Sequence, residues 1–113
     1  MDYKETEEFI KEFKKLSKKY RTIESDFELL KKIILKFPEG GETRHAVSLK
    51  KSEEICIIKR RMMCRSTQGQ NFRVIYAYIQ NEVRILFIEC YFKGKKETED
   101  NERIEKYWKE LNN

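Results

Sequence analysis

Basic residues recur inside three consecutive strand-like stretches in the second half of the chain. Lys59, Arg60, Arg61 and Arg65 fall in ICIIKRRMMCR, Arg73 in NFRVIYAY, and Glu89, Tyr91 and Lys93 close the series in FIECYFKG. Strand formers surround these charges, so a sheet is expected to hold them rather than a loose tail. Cations fixed on a rigid surface can grip a phosphodiester and stabilise the charge that grows as it is cleaved. RNA is the substrate class this chemistry implies.

Side-chain alternation along a strand sorts the residues by face. Ile57, Lys59 and Arg61 share one face, and Cys56, Ile58 and Arg60 the other. Asn71, Arg73, Ile75 and Ala77 lie on one side of the next strand, with Phe72, Val74, Tyr76 and Tyr78 on its core side. Along the last strand Phe87, Glu89, Tyr91 and Lys93 alternate with the apolar Leu86, Ile88, Cys90 and Phe92, which should meet the helices. Lys59, Arg61, Arg73, Glu89, Tyr91 and Lys93 are therefore expected to converge on an open face that no helix of the first half covers. An exposed sheet face is polar in any case, and cross-strand Arg–Glu pairs are ordinary. The imbalance argues for more than pairing: five cations, with Arg65, stand against one carboxylate.

The elements that position this face follow from periodicity. Residues 7–19 read as an amphipathic helix with Phe9, Phe13, Leu16 and then Tyr20 on one side and five lysines (11, 14, 15, 18, 19) opposite. Thr22 or Ser25 could cap a second helix running to about Phe37, with Phe27, Leu30, Ile34 and Phe37 as its stripe and Ile33 alongside. Pro38-Glu39-Gly40-Gly41 stops it. The period then changes to two. Short strands are expected at His45–Leu49 and Ile55–Met62, and long ones at Phe72–Gln80 and Glu82–Phe92 around a tight turn at Gln80-Asn81. A short strand is expected to open the chain at about residues 2–5, and Thr98–Leu111 reads as a final helix with Ile104, Tyr107, Trp108 and Leu111. The order implies an α+β fold: a twisted antiparallel sheet, an N-terminal helical hairpin packed on one face and a C-terminal helix.

Length and composition bound the rest. A chain of 113 residues suggests a single domain, 1–113. Charged residues make up 40 % of it, against about 25 % in an average domain, so the core is lean and the surface densely charged. Net charge is +5, which favours a polyanionic partner. The three cysteines, Cys56, Cys64 and Cys90, are widely spaced, and His45 is the sole histidine, so no metal site is expected. Cys56 and Cys90 fit as small core hydrophobes, and the set fits a reducing cytoplasm. The charged N-terminus lacks the apolar stretch of a signal peptide, and no run approaches the ~18 apolar residues of a membrane span.

The ordered combination of FIKEFKKLSKKYRTIESDFELL, IIKRRM, NFRVIYAY and VRILFIECYFKGKKE resembles the toxins of type II toxin–antitoxin modules, the RelE/ParE superfamily. The resemblance runs over roughly residues 4–105 and implies a RelE-like fold with a small cognate antitoxin as partner. Many such toxins cut mRNA in the ribosomal A site by attack of the ribose 2′-OH on the adjacent phosphorus, without a cofactor. In that reading Arg73 and Arg61 stabilise the transition state, and Lys59, Arg60 and Arg65 hold the RNA. Tyr91 and Glu89 are rival bases, and Lys93 supplies a proton or a phosphate contact. The best-studied branch carries a tyrosine after the last strand, where this chain has KKETEDNERI. Two alternatives stay open: a ParE-like toxin that inhibits DNA gyrase without enzymatic activity, and a decayed toxin that only binds its antitoxin. Trp108 either closes the core or docks to the antitoxin.

Overall fold

The computed structural model describes residues 1–40 and 45–113. The chain opens with strand β1 (Asp2–Glu5), followed by helices α1 (Glu7–Lys19) and α2 (Ile23–Lys36). Strands β2 (Ala46–Lys51), β3 (Ile55–Cys64), β4 (Gly69–Ile79) and β5 (Arg84–Phe92) follow, and helix α3 (Asn101–Leu111) closes the chain. Gly41, the second glycine of the expected helix stop, lies outside the described residues.

Local chemistry explains the helix ends. The Thr6 hydroxyl accepts a hydrogen bond from the Phe9 amide at 3.1 Å. Glu7 and Glu8 occupy the first turn of α1 and Lys18 and Lys19 the last, in keeping with the helix dipole. Asp100 caps α3 the same way, accepting from the Arg103 amide at 3.1 Å. On α2 Thr22 occupies the cap position but gives its hydroxyl to Asp26 at 2.8 Å instead.

The sheet order is β1-β5-β4-β3-β2. β2 to β5 pair antiparallel. β1 adds one parallel pairing beside β5, so the sheet is mixed. α1 and α2 cover one face. Phe9, Ile23, Phe27, Leu30 and Ile34 meet Ile58, Met62, Phe72, Val74, Tyr76 and Phe87 there. The Phe9, Phe27 and Phe87 rings interlock with centroids 5.0–5.7 Å apart.

Three expectations need correction. The second face does not stand open: α3 packs across it, setting Ile104 with Tyr107, Trp108 and Leu111 against Ile57, Ile75, Ala77 and Ile88. Apolar residues on that face of the central strands needed cover, and the C-terminal helix supplies it. Next, alternation fails along β5. Ile75 pairs with Glu89 but Tyr76 pairs with Phe87, so Ile88 is the extra residue of a β-bulge. The bulge inverts face assignment upstream: Phe87 enters the core under α1 and α2, while Leu86 and Ile88 turn toward α3. Finally, Phe37 leaves the buried stripe of α2. It sits at the helix C-cap, 56 % exposed, beside the exposed Ile33 and Leu29.

Candidate functional site

Strand register builds two rows across the α3 side of the sheet. Arg61 on β3 is opposite Arg73 on β4, and Arg73 is opposite Tyr91 on β5. One step along, Lys59 is opposite Ile75, and Ile75 opposite Glu89. Neighbouring strands lie about 5 Å apart, so each row brings its side chains within reach of one small ligand. Arg61 is exposed at the sheet margin. Arg73 is half-buried and its Nη1 donates to the carbonyls of Gln70 at 2.8 Å and Phe72 at 3.0 Å, which fixes the guanidinium plane. Burial and the Arg61 charge both push the Arg73 pKa down, with Tyr91 opposing. Among the described residues no carboxylate forms an ion pair with either arginine. Two adjacent guanidiniums without a counter-ion form a place for an anion, and their planar forks suit two phosphate oxygens.

The carboxylates lie at the other end of the rows. Glu89 is fully buried and held from two sides: Lys96 Nζ donates to it at 2.5 Å and the Asp100 amide at 2.8 Å. It thereby ties the 93–100 connection to the sheet. Tyr91 is 5 % exposed, and its hydroxyl donates to Glu99 Oε1 at 3.4 Å. Lys59 Nζ donates to the same oxygen at 3.0 Å. Burial and the Glu99 and Glu89 charges push the Tyr91 phenol up to about 12, against the pull of Arg73. Burial works to raise the Glu99 pKa as well, but the bond from Lys59 and other hydrogen bonds outweigh it, so this carboxyl sits below its usual range. Lys93 is exposed just beyond β5, its amide donating to the Asn71 carbonyl at 2.7 Å.

Two of the expected RNA-binding residues sit elsewhere. Arg60 points to the opposite face, 5 % exposed, with Nη2 donating to the Phe37 carbonyl at 3.2 Å. Arg65 folds back onto α2: its Nε donates to Asp26 Oδ1 at 2.9 Å, its amide to Oδ2 at 3.1 Å, and its Nη2 to the Ser25 hydroxyl. Asp26 is buried, and bonds from Thr22 and Arg65 overcome the penalty of burial to hold its pKa down. Cys64 lies on the helix side too, buried, with its sulfur 3.2 Å from the Ser66 hydroxyl.

Glu99 was not among the residues singled out from sequence. Its signal was its place one residue before the Asp100 cap, at the start of the stretch read as the final helix and noted for its lack of tyrosine. A second unforeseen feature is a groove of about 590 Å³ between α2 and β3, lined by Leu29, Ile33, Phe37 and Met63 and bordered by Arg61 and Arg65. Met63 turns toward it at a second bulge, between Met62 and Cys64.

No protein-family model matches the chain, and no curated protein matches it in sequence. Among solved structures, the chain is similar to one from the crystal structure of the archaeal RelE–RelB complex of Pyrococcus horikoshii OT3. The TM-score is 0.62 at 18 % identity, over 82 % of this chain and 94 % of the other. At that identity the likeness is one of fold, and it shows a RelE-like fold here.

Proposed function

We propose that this protein is the toxin of a type II toxin–antitoxin module: a ribosome-dependent mRNA endoribonuclease that arrests translation in the cytoplasm until a cognate antitoxin neutralises it. The observation that carries this reading is the Arg61–Arg73 pair, opposite each other on two neighbouring strands and without a pairing carboxylate among the described residues. A ParE-like inhibitor that works through protein contacts has no need of that pair.

The chemistry proceeds from the rows. Arg61 and Arg73 hold the non-bridging oxygens of the scissile phosphate and stabilise the charge that builds on them as the 2′-oxygen attacks. Tyr91, next in the row, is the group offered to the attacking hydroxyl, and Lys59, paired with Glu99, lies in the adjacent row. Lys93 at the strand end meets the RNA backbone or the leaving 5′-oxygen. Glu89 is better placed to anchor the 93–100 connection than to touch RNA, because Lys96 and the Asp100 amide already occupy it. Arg60 and Arg65 are left out of the proposed site, since α2 and the chain just beyond it engage both guanidiniums. The antitoxin reading is supported by the solved neighbour's being a RelE–RelB complex and by the apolar groove, which suits a partner segment carrying apolar side chains.

Expression of Arg61→Ala or Arg73→Ala is expected to relieve growth arrest while each variant still folds and is captured by the antitoxin. Full toxicity in both variants would show that the site lies elsewhere.

A further inference from the structure

Glu99 touches two residues of the proposed cleavage site. Its Oε1 accepts from both Lys59 and Tyr91, at 3.0 and 3.4 Å. Its side chain is 12 % exposed, at the edge of the face where Arg61 and Arg73 lie. The segment that carries it is fixed at both ends: Glu89 receives Lys96 and the Asp100 amide, and Arg103 on the first turns of α3 clamps Glu12 at 2.9 and 3.0 Å. Glu99 is thus a held carboxylate and not a stray surface charge.

Resting on the nuclease reading, we infer that Glu99 is the proton acceptor of this site and that it acts through Tyr91. The Tyr91 phenol is unfit to act alone, being held protonated far above neutrality by burial and by the Glu99 and Glu89 charges. A phenol that passes its own proton to a carboxylate as it takes another never becomes a phenolate. The 2′-OH proton moves to Tyr91 Oη while the Tyr91 proton moves to Glu99 Oε1. The O2′–P bond forms, the P–O5′ bond breaks, and a 2′,3′-cyclic phosphate remains. The departing 5′-oxygen takes a proton from water, and Glu99 later returns one to water, so the net transfer is from O2′ to O5′. Lys59 gives the relay its timing. While Glu99 is ionised the Lys59 ammonium is neutralised by it. Once Glu99 is protonated, that positive charge turns to the phosphate as the phosphate becomes most negative. Glu89, the carboxylate that alternation pointed to, does not serve in this way because it is fully buried and its two oxygens accept from Lys96 and the Asp100 amide instead of from the Tyr91 hydroxyl.

The test is single-turnover cleavage of a defined mRNA on purified ribosomes by wild type, Glu99→Gln, Glu99→Asp, Tyr91→Phe and the Glu99→Gln/Tyr91→Phe double variant, each checked for cooperative unfolding. Glu99→Gln is expected to slow cleavage about a hundredfold at saturating ribosomes without weakening the half-saturating concentration. Glu99→Asp should recover part of the rate, and the double variant should be no slower than the slower single, since the two groups form one relay. Glu99→Gln cleaving at the wild-type rate or faster would overturn the inference and make Glu99 an internal competitor of the RNA phosphate. Multiplying effects in the double variant would also overturn it. Wild-type protein that leaves mRNA intact would overturn the nuclease reading and this inference with it, whereas cleavage by wild type and Glu99→Gln alike would sink only the inference.

Discussion

The arginines of this chain fall into two groups, separated by the partner of each guanidinium. Arg61 and Arg73 face each other across β3 and β4 with like charge, while Arg65 and Arg103 are locked to Asp26 and Glu12. Arg65→Ala should therefore cost stability and leave chemistry alone. A charged hydrogen bond to a buried carboxylate is worth more than a surface pair, but the exposed guanidinium is screened, so about 1 kcal/mol is expected in urea denaturation. Cleavage by the folded variant should match wild type, and a large loss of RNA affinity with unchanged stability would return Arg65 to the site. Sequence alone could not make this distinction. The residue types and strand positions of Lys59, Arg61, Arg73 and Tyr91 were legible because alternation needs only local geometry. The fate of Arg65 depended on Asp26, 39 residues away, and Glu99 acquires meaning only once the chain returns over the sheet.

At the level of elements, the helices and strands follow from periodicity, caps and turns, and their bounds agree closely with expectation. What periodicity cannot show is an inserted residue. The bulge at Ile88 shifts every upstream side chain of β5 to the opposite face and drives Phe87 into the ring cluster with Phe9 and Phe27. Phe87→Ala should cost roughly 3–5 kcal/mol in denaturant unfolding, the range for a fully buried aromatic. A cost under about 1 kcal/mol would place Phe87 on a solvated face instead, as simple alternation had it. Helix α3 depends on a different kind of contact. Glu8 on α1 receives Lys106 at 2.8 Å and the Tyr107 hydroxyl, which lower its pKa from 4.5 to about 2. The folded state thus favours the ionised form. This contribution is complete above pH 4.5 and is lost as pH falls toward 2. Trp108, the single tryptophan, lies on α3 and reports the change. Unfolding followed by its emission should show wild type losing stability over that window more steeply than Glu8→Gln, and identical slopes would mean that Glu8 does not fasten the helix. Glu12 works in the opposite sense, since burial raises its pKa despite the Arg103 clamp.

At the scale of the whole molecule, three layers share the work. The α1–α2 hairpin and the sheet enclose the main core, and α3 closes the second face only in part, leaving the Arg61–Arg73 end of the rows uncovered. The α+β class and the helical hairpin were legible because each apolar stripe needed a sheet to cover. The place of α3 was not, because an amphipathic C-terminal helix can pack on either face or on a partner, and nothing local decides between them. A net charge of +5 and lysines along α1 favour any polyanion, so binding alone would say little about mechanism. Primer extension along a defined mRNA, incubated on purified ribosomes with wild type or Arg73→Ala, asks the question directly. Wild type should cut at A-site codons, and Arg73→Ala should do so on the order of 100–1,000-fold more slowly, the loss of one transition-state donor. Intact mRNA under folded wild-type protein, or equal cutting by Arg73→Ala, would contradict a nuclease built on the paired arginines.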